Sequence, residues 1–254
     1  MYTFYSIIFL ILGIIGFLIS LFILFIHLNS NQLLQDYVVV VPRLVVDVLI
    51  HGIFITSGIL ITINYICISF IILLSVIILQ ICFSLNNNFY ILLAVNYPVK
   101  LIELPLRKRY LLMFIWLIIS LIVLIPFVII KNVTICDLKD SYRIIYIIIG
   151  VFSVISNILI IISIFCVKNS KTKRELANEA KISILATLLP SIGCIAASWY
   201  DITEEAKDMV YVLCYCLIGL YIISNNVFIL LNDDVQKAIK GISRRIRPIR
   251  FNNI

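Results

Sequence analysis

Seven apolar runs, each close to the ~20 residues needed to cross a bilayer as a helix, follow one another along this chain with short polar breaks between them. They cover about 4–26, 37–63, 66–97, 110–130, 144–167, 182–200 and 209–231. Of 254 residues, 63% are apolar and 13% charged, a balance foreign to soluble domains of this length. The solvent is therefore a bilayer, where every backbone polar group must pair within the protein, and helices meet that condition segment by segment. The expected fold is all-α: a single seven-transmembrane bundle over residues 1–254, with no room for a separate soluble catalytic domain.

The net charge of +7 does not imply nucleic acid, because the basic residues sit at the ends of apolar runs and not along a polar face. They read as topology signals and contacts to membrane lipids. Segments 100–109, 168–181 and 237–250 hold 15 Lys and Arg, whereas the alternate breaks hold only Lys131, Lys139, Arg143 and Lys207. Such asymmetry puts the first group on the cytoplasmic side. The expectation is an N-terminus outside, a C-terminus inside and an odd number of spans. Run 4–26 has no basic lead and no small-residue cleavage site after it, so it reads as a retained span and not a signal peptide. Residues 233–246 place Val235, Ala238, Ile239 and Ile242 at helical spacing against Lys237, Lys240, Arg244 and Arg245, a pattern suited to a short amphipathic helix on the inner leaflet.

Polar residues inside the runs mark where helices must face one another. The stretch 84–109 carries Asn86, Asn87, Asn88 and Asn96 at depths where amides need partners, then turns basic at Lys100, Arg107, Lys108 and Arg109, with Pro98 and Pro105 ending the helix. A polar packing face with a charged end would read the same way. Arg43 and Asp47 lie four residues apart, on one face of the second run. They read as an internal polar site anchored by Asp47, as a self-neutralising structural pair, or as an Arg43 that snorkels to the inner surface. His51 reads as a core histidine, and Pro190 as a kink point of the sixth run. Asn132-Val133-Thr134 is a glycosylation acceptor, which places its loop outside. Cys136 shares that loop; Cys67, near the outer start of the third run, is its best-placed disulfide partner, and a free thiol is the alternative. The seven cysteines show no metal spacing.

In local sequence the chain resembles the rhodopsin-like G-protein-coupled receptors. Leu93-Ala94-Val95-Asn96-Tyr97, followed by Pro105-Leu106, is similar to the inner end of that family's third helix, with Tyr97 where the family has its G-protein-contacting Arg. Ser224-Asn225-Asn226-Val227-Phe228 resembles the seventh-helix Asn-Pro-X-X-Tyr motif, with Asn225 in place of Pro and Phe228 in place of Tyr. Pro190 matches the sixth-helix Pro, and Leu188 stands at the switch Trp. The short chain and the tract Val41-Pro42-Arg43-Leu44-Val45-Val46-Asp47 look most like the nematode serpentine chemoreceptors, of the gamma or x class. The resemblance implies an internal sodium and water pocket lined by Asp47, Asn86, Ser224 and Asn225, and a G-protein face at Asn96, Tyr97 and Lys100. It also implies residence in a plasma or ciliary membrane.

The function expected on these grounds is a chemosensory receptor. A small-molecule ligand on the outer side would favour a state in which the sixth helix swings at Pro190 and opens an inner cleft to a heterotrimeric G protein. The competing reading is a multi-pass channel or carrier with a polar path around Arg43 and Asp47; repeated halves or further buried charge would favour it, and the sequence shows neither. An enzyme is not expected: His27 and His51 lack zincin spacing, and Glu204-Glu205 fall in an outside loop.

Overall fold

The computed structural model describes residues 2–36, 40–96, 103–111, 139–166 and 204–246, together with 114–115, 118, 192–193 and 195–196; for some of these only the backbone. The elements are α1 (Tyr2–Leu28), α2 (Asn31–Asp36), α3 (Val40–Thr62), α4 (Ile66–Asn96), α5 (Lys139–Cys166), α6 (Glu204–Leu230) and α7 (Asp233–Ile246). No strand occurs among the described residues. Four stretches are long and apolar enough to cross a membrane, Tyr2–Leu28, Val40–Thr62, Ile72–Tyr90 and Asp208–Leu230; α5 adds a shorter apolar stretch, Ser153–Cys166. The protein is thus a membrane-embedded helical protein. The α1, α3, α4, α5 and α6 helices fall on the first, second, third, fifth and seventh apolar runs. The fourth and sixth runs lie mostly outside the described residues.

Local chemistry sets the helix ends. Pro42 sits in the first turn of α3, where its missing N–H costs no helical hydrogen bond. The helix stops at a left-handed Asn64 (φ 65°), with Tyr65 N–H donating to Leu60 C=O at 2.8 Å and Asn64 N–H to Ile61 C=O at 3.1 Å. That double closure consumes two orphan carbonyls and turns the chain straight into α4. Residues 27–36, a polar loop by sequence, contain α2 because Ser30 Oγ caps it, accepting from Leu33 N–H at 3.4 Å, and Leu33 is buried. At α7, Asn232 Oδ1 accepts from Asp234 N–H at 2.9 Å, and Asp233 and Asp234 occupy the first turn, where the helix dipole favours carboxylates. The same preference accounts for α6 starting at Glu204, so the acidic stretch read as a loop forms its first turns.

Burial then orders the helices. Along α1, Phe9, Leu12, Gly13, Gly16, Ser20, Ile23 and His27 recur at helical spacing and are buried. The opposite face, Ile7, Ile11, Ile14, Leu18, Leu21 and Phe25, is exposed and wholly apolar, as a lipid-facing surface must be. The α3 helix runs antiparallel to α1 in close contact. Ser6 Oγ donates to Gly58 C=O at 2.8 Å and meets Thr62 Oγ1 at 2.6 Å near one end, while Gly13 and Gly16 face Ile55 and His51 further along. A methyl group at Gly13 would lie 2.8 Å from the Ile55 backbone nitrogen, and one at Gly16 would run into the His51 ring. Small residues are what let two membrane helices touch backbone to backbone. Phe9 and Phe54 stack across this joint with ring centroids 5.7 Å apart.

The α4 helix is central. Val76, Ile77, Ile78 and Leu79 are buried in succession, so it is covered on all sides there, by α3 and α5 chiefly. Among the described helices, α6 packs mainly on α1 and runs the same way. Tyr2 Oη donates to Asp208 Oδ2 at 2.9 Å where both helices begin, and Asn226 Nδ2 donates to Ser20 Oγ at 2.9 Å toward their other ends. Just beyond, Ile26 of α1, Leu33 of α2 and Val235 of α7 form a second small core, joined by Ala238 and Ile239. Val235, Ala238 and Ile239 of α7 are therefore seated on protein, with Lys237 and Lys240 exposed.

Candidate functional site

The polar residues of α1, α3 and α6 meet along one seam. Asp47 is 3% exposed, held in place by Leu44, Val46 and Ile50 of its own helix, each fully buried. One turn earlier, Arg43 brings Nε to 3.9 Å from Asp47 Oδ2, an ion pair beyond hydrogen-bond distance. The guanidinium also reaches α6. Its Nη2 donates to Tyr221 Oη at 3.3 Å. The Asn225 side-chain amide lies against the guanidinium and pairs with it when its oxygen faces Arg43. Tyr221 and Asn225 lie four residues apart on α6, so one face of that helix grips one side chain of α3.

Asn226, fully buried, completes the seam from α6. It donates to Ser20 on α1 and lies against the Asp47 carboxylate. One turn along α3 from Asp47, His51 is buried and its Nδ1 lies 2.7 Å from Asp47 C=O. A carbonyl can only accept, so Nδ1 carries the proton and Nε2 is an acceptor, packed toward Gly16. Asp47 Oδ2, Asn226 Oδ1 and His51 Nε2 find no hydrogen-bond donor among the described residues.

The residues singled out in the sequence have different places in the structure. Asp47 and Asn225 meet through Arg43. Asn86 is buried in α4, at 5% exposure, while the partners of Asp47 come from α3 and α6. Ser224 is exposed on α6, outside the seam. Asn96 is the last residue of α4 and Cys67 its second, and only their backbone is described. Tyr97, Lys100, Asn132, Cys136 and Pro190 lie outside the described residues. Sequence reasoning missed Ser20, Tyr221 and Asn226 as parts of the site.

An internal sodium ion would need carboxylate and carbonyl oxygens free to ligate it. The buried oxygens of Asp47 and Asn226 offer such ligands, but the Asn225 oxygen is taken by Arg43, whose own positive charge already stands beside Asp47. One carboxylate and one guanidinium are neutral together; an added cation would leave a net buried charge, which is costly in a membrane interior. The set does not fit a bound sodium. No group of three or more His, Cys, Asp or Glu among the described residues is arranged to hold a metal.

Further buried polar residues occur in α4 and in α5. Ser84, Asn86 and Asn88 are buried in α4, and in α5 Asn157 Nδ2 donates to Ser153 C=O at 2.8 Å. Both partners of that last bond belong to one helix, so it ties nothing across an interface.

Comparison of the chain with protein-family models and with curated proteins finds no match.

Proposed function

We propose that the chain is a seven-transmembrane receptor of the rhodopsin-like superfamily, of the chemosensory kind, in which a small ligand bound on the outer side shifts the helices toward a state recognised by a heterotrimeric G protein. The observation that carries this reading is the parallel run of α1 and α6, pinned by Tyr2 to Asp208 near one end and Ser20 to Asn226 near the other. Two spans pointing the same way are separated by an even number of reversals, so the crossings from the first to the last, both included, are odd in number. With 15 Lys and Arg in alternate breaks, the C-terminus and α7 fall on the cytoplasmic side. The α2–α7 contact through Leu33 and Val235 supports the same side for both.

Conversion of ligand binding into signalling needs two arrangements with different contacts in each. The α6 helix suits such a role, because polar side chains that can trade partners contribute to its contact with α3. A carrier would use the same buried pair as a path, but the Arg43 guanidinium is engaged by Asn225 and Tyr221, which favours an internal tie over a conduit.

The test is expression of the full chain in a heterologous cell, challenged with a panel of small odorants and read by calcium or cyclic-nucleotide signals. The expected outcome is a ligand-dependent response that Tyr97→Ala abolishes while surface expression is kept. Tag accessibility that put both chain ends on the same side of the membrane would refute the topology, and a ligand-independent ionic current would replace the receptor by a channel.

A further inference from the structure

A carboxylate in a low-dielectric seam needs one compensating positive charge, and the source of that charge decides whether the seam answers to the ions around the cell. A mobile cation exchanges with solution. A tethered one does not. Asp47 lies at 3% exposure, four residues from an Arg43 whose Nε stands 3.9 Å away. That guanidinium also reaches α6: Nη2 donates to Tyr221 Oη at 3.3 Å, and the Asn225 amide lies against it, able to accept when its oxygen faces Arg43. Asp47 Oδ2 itself receives no hydrogen bond among the described residues.

We propose that Arg43 is the resident cation of the seam: a single guanidinium, tethered to α3, neutralises Asp47 and at the same time clasps α6 through Asn225 and Tyr221, so that the seam binds no mobile cation. The geometry also gives the guanidinium an alternative position. Arg43 and Asp47 are spaced i to i+4, so a shift of α6 that withdrew Asn225 and Tyr221 would leave the guanidinium free to close on Asp47 Oδ2, one turn away. Charge stays balanced in both positions, and what changes is whether α3 and α6 are joined. The inference is independent of the receptor reading, since it concerns only which charge the seam holds.

The full chain, purified in detergent, is unfolded by heat in sodium chloride and in choline chloride at equal ionic strength. Wild-type midpoints are expected to coincide. Arg43→Gln removes the charge but keeps a hydrogen-bonding amide; it is expected to melt lower in choline and to regain roughly 2–4 °C in sodium, because Asp47 can then recruit a mobile partner. Adding Asp47→Asn is expected to abolish that sodium response. A sodium-dependent rise in the wild-type midpoint overturns the proposal, and that measurement needs no variant to fold. An Arg43→Gln protein that melts like the wild type in choline overturns it too. So does additivity of Arg43→Gln and Asn225→Ala, since a guanidinium that clasps α6 must couple the two positions.

Discussion

The joint between α1 and α3 and the joint that brings α6 to them are made from different materials. In the first, Gly13, Gly16 and Gly58 remove side chains so that two helices meet backbone to backbone, with Phe9 stacked on Phe54 and Ser6 bonded to Gly58 C=O. In the second, apolar packing of Tyr215, Ile218 and Ile222, with Gly219 against Phe54, is supplemented by polar ties among Arg43, Asn225, Tyr221, Asn226 and Ser20. Lipid tails give apolar side chains no reason to leave them, so membrane helices hold together by fit or by polar exchange. Fit fails steeply when a helix moves. Polar bonds can trade partners. The α1–α3 joint thus rests chiefly on fit, whereas the α6 joint adds polar bonds that can trade partners.

Substitutions separate the two joints by the size and reversibility of their effects. The largest is expected from Gly16→Leu, whose side chain has only the His51 ring and α3 to enter. It should cost upward of about 3 kcal/mol and remove folded protein altogether, seen as loss of monodisperse material in detergent. Arg43→Ala comes next, at about 3 kcal/mol in a chemical or thermal unfolding series, because it strands a buried carboxylate. The contrast lies in rescue: Arg43→Met combined with Asp47→Leu should recover most of that loss, while no second substitution on α3 smaller than removal of the His51 ring should rescue Gly16→Leu. If the double change is as unstable as Arg43→Ala, the second joint depends on shape after all. A double-mutant cycle on Ser20→Ala and Asn226→Ala should show coupling of about 0.6 kcal/mol, the usual worth of one interhelical hydrogen bond in a membrane. The smallest effect belongs to Lys237→Ala. Its pair with Asp234, 3.3 Å apart on the exposed side of α7, should change stability by less than about 0.5 kcal/mol.

The difference between these joints also governs what the sequence made legible. Helices α1, α3, α4, α5 and α6 lie close to the runs read from apolarity, because span length follows from bilayer thickness and needs no knowledge of neighbours. Asp47 stood out because a charge inside a span must be compensated. Ser224 did not belong with it: Ser224 and Asn226 are two residues apart, about 200° around a helix, so only one of them can face the seam. The phase was written in the pattern Tyr215, Ile218, Ile222, Asn226, all buried at helical spacing. Ser20 was harder to see, one hydroxyl in a long apolar run, although Gly13, Gly16 and Ser20 form a stripe of small residues on one face of α1. Tyr221 could not be found by any local rule, since its role depends on α6 lying beside Arg43. The short α2 hid for a similar reason: Leu33 makes a helix worthwhile only because Val235, near the other end of the chain, is there to cover it.

The bonds from Tyr2 to Asp208 and from Ser20 to Asn226 each bridge 206 positions of sequence. A ribosome adding ~5–20 residues per second needs about 10–40 s to supply the second half of either bond. During that interval the opening segment sits in the insertion machinery with its hydroxyls awaiting a strand of chain not yet made. Assembly of this protein is accordingly a matter of patience at the N-terminus, and truncation anywhere before the last crossing would leave the earliest segment to be recognised as unfinished.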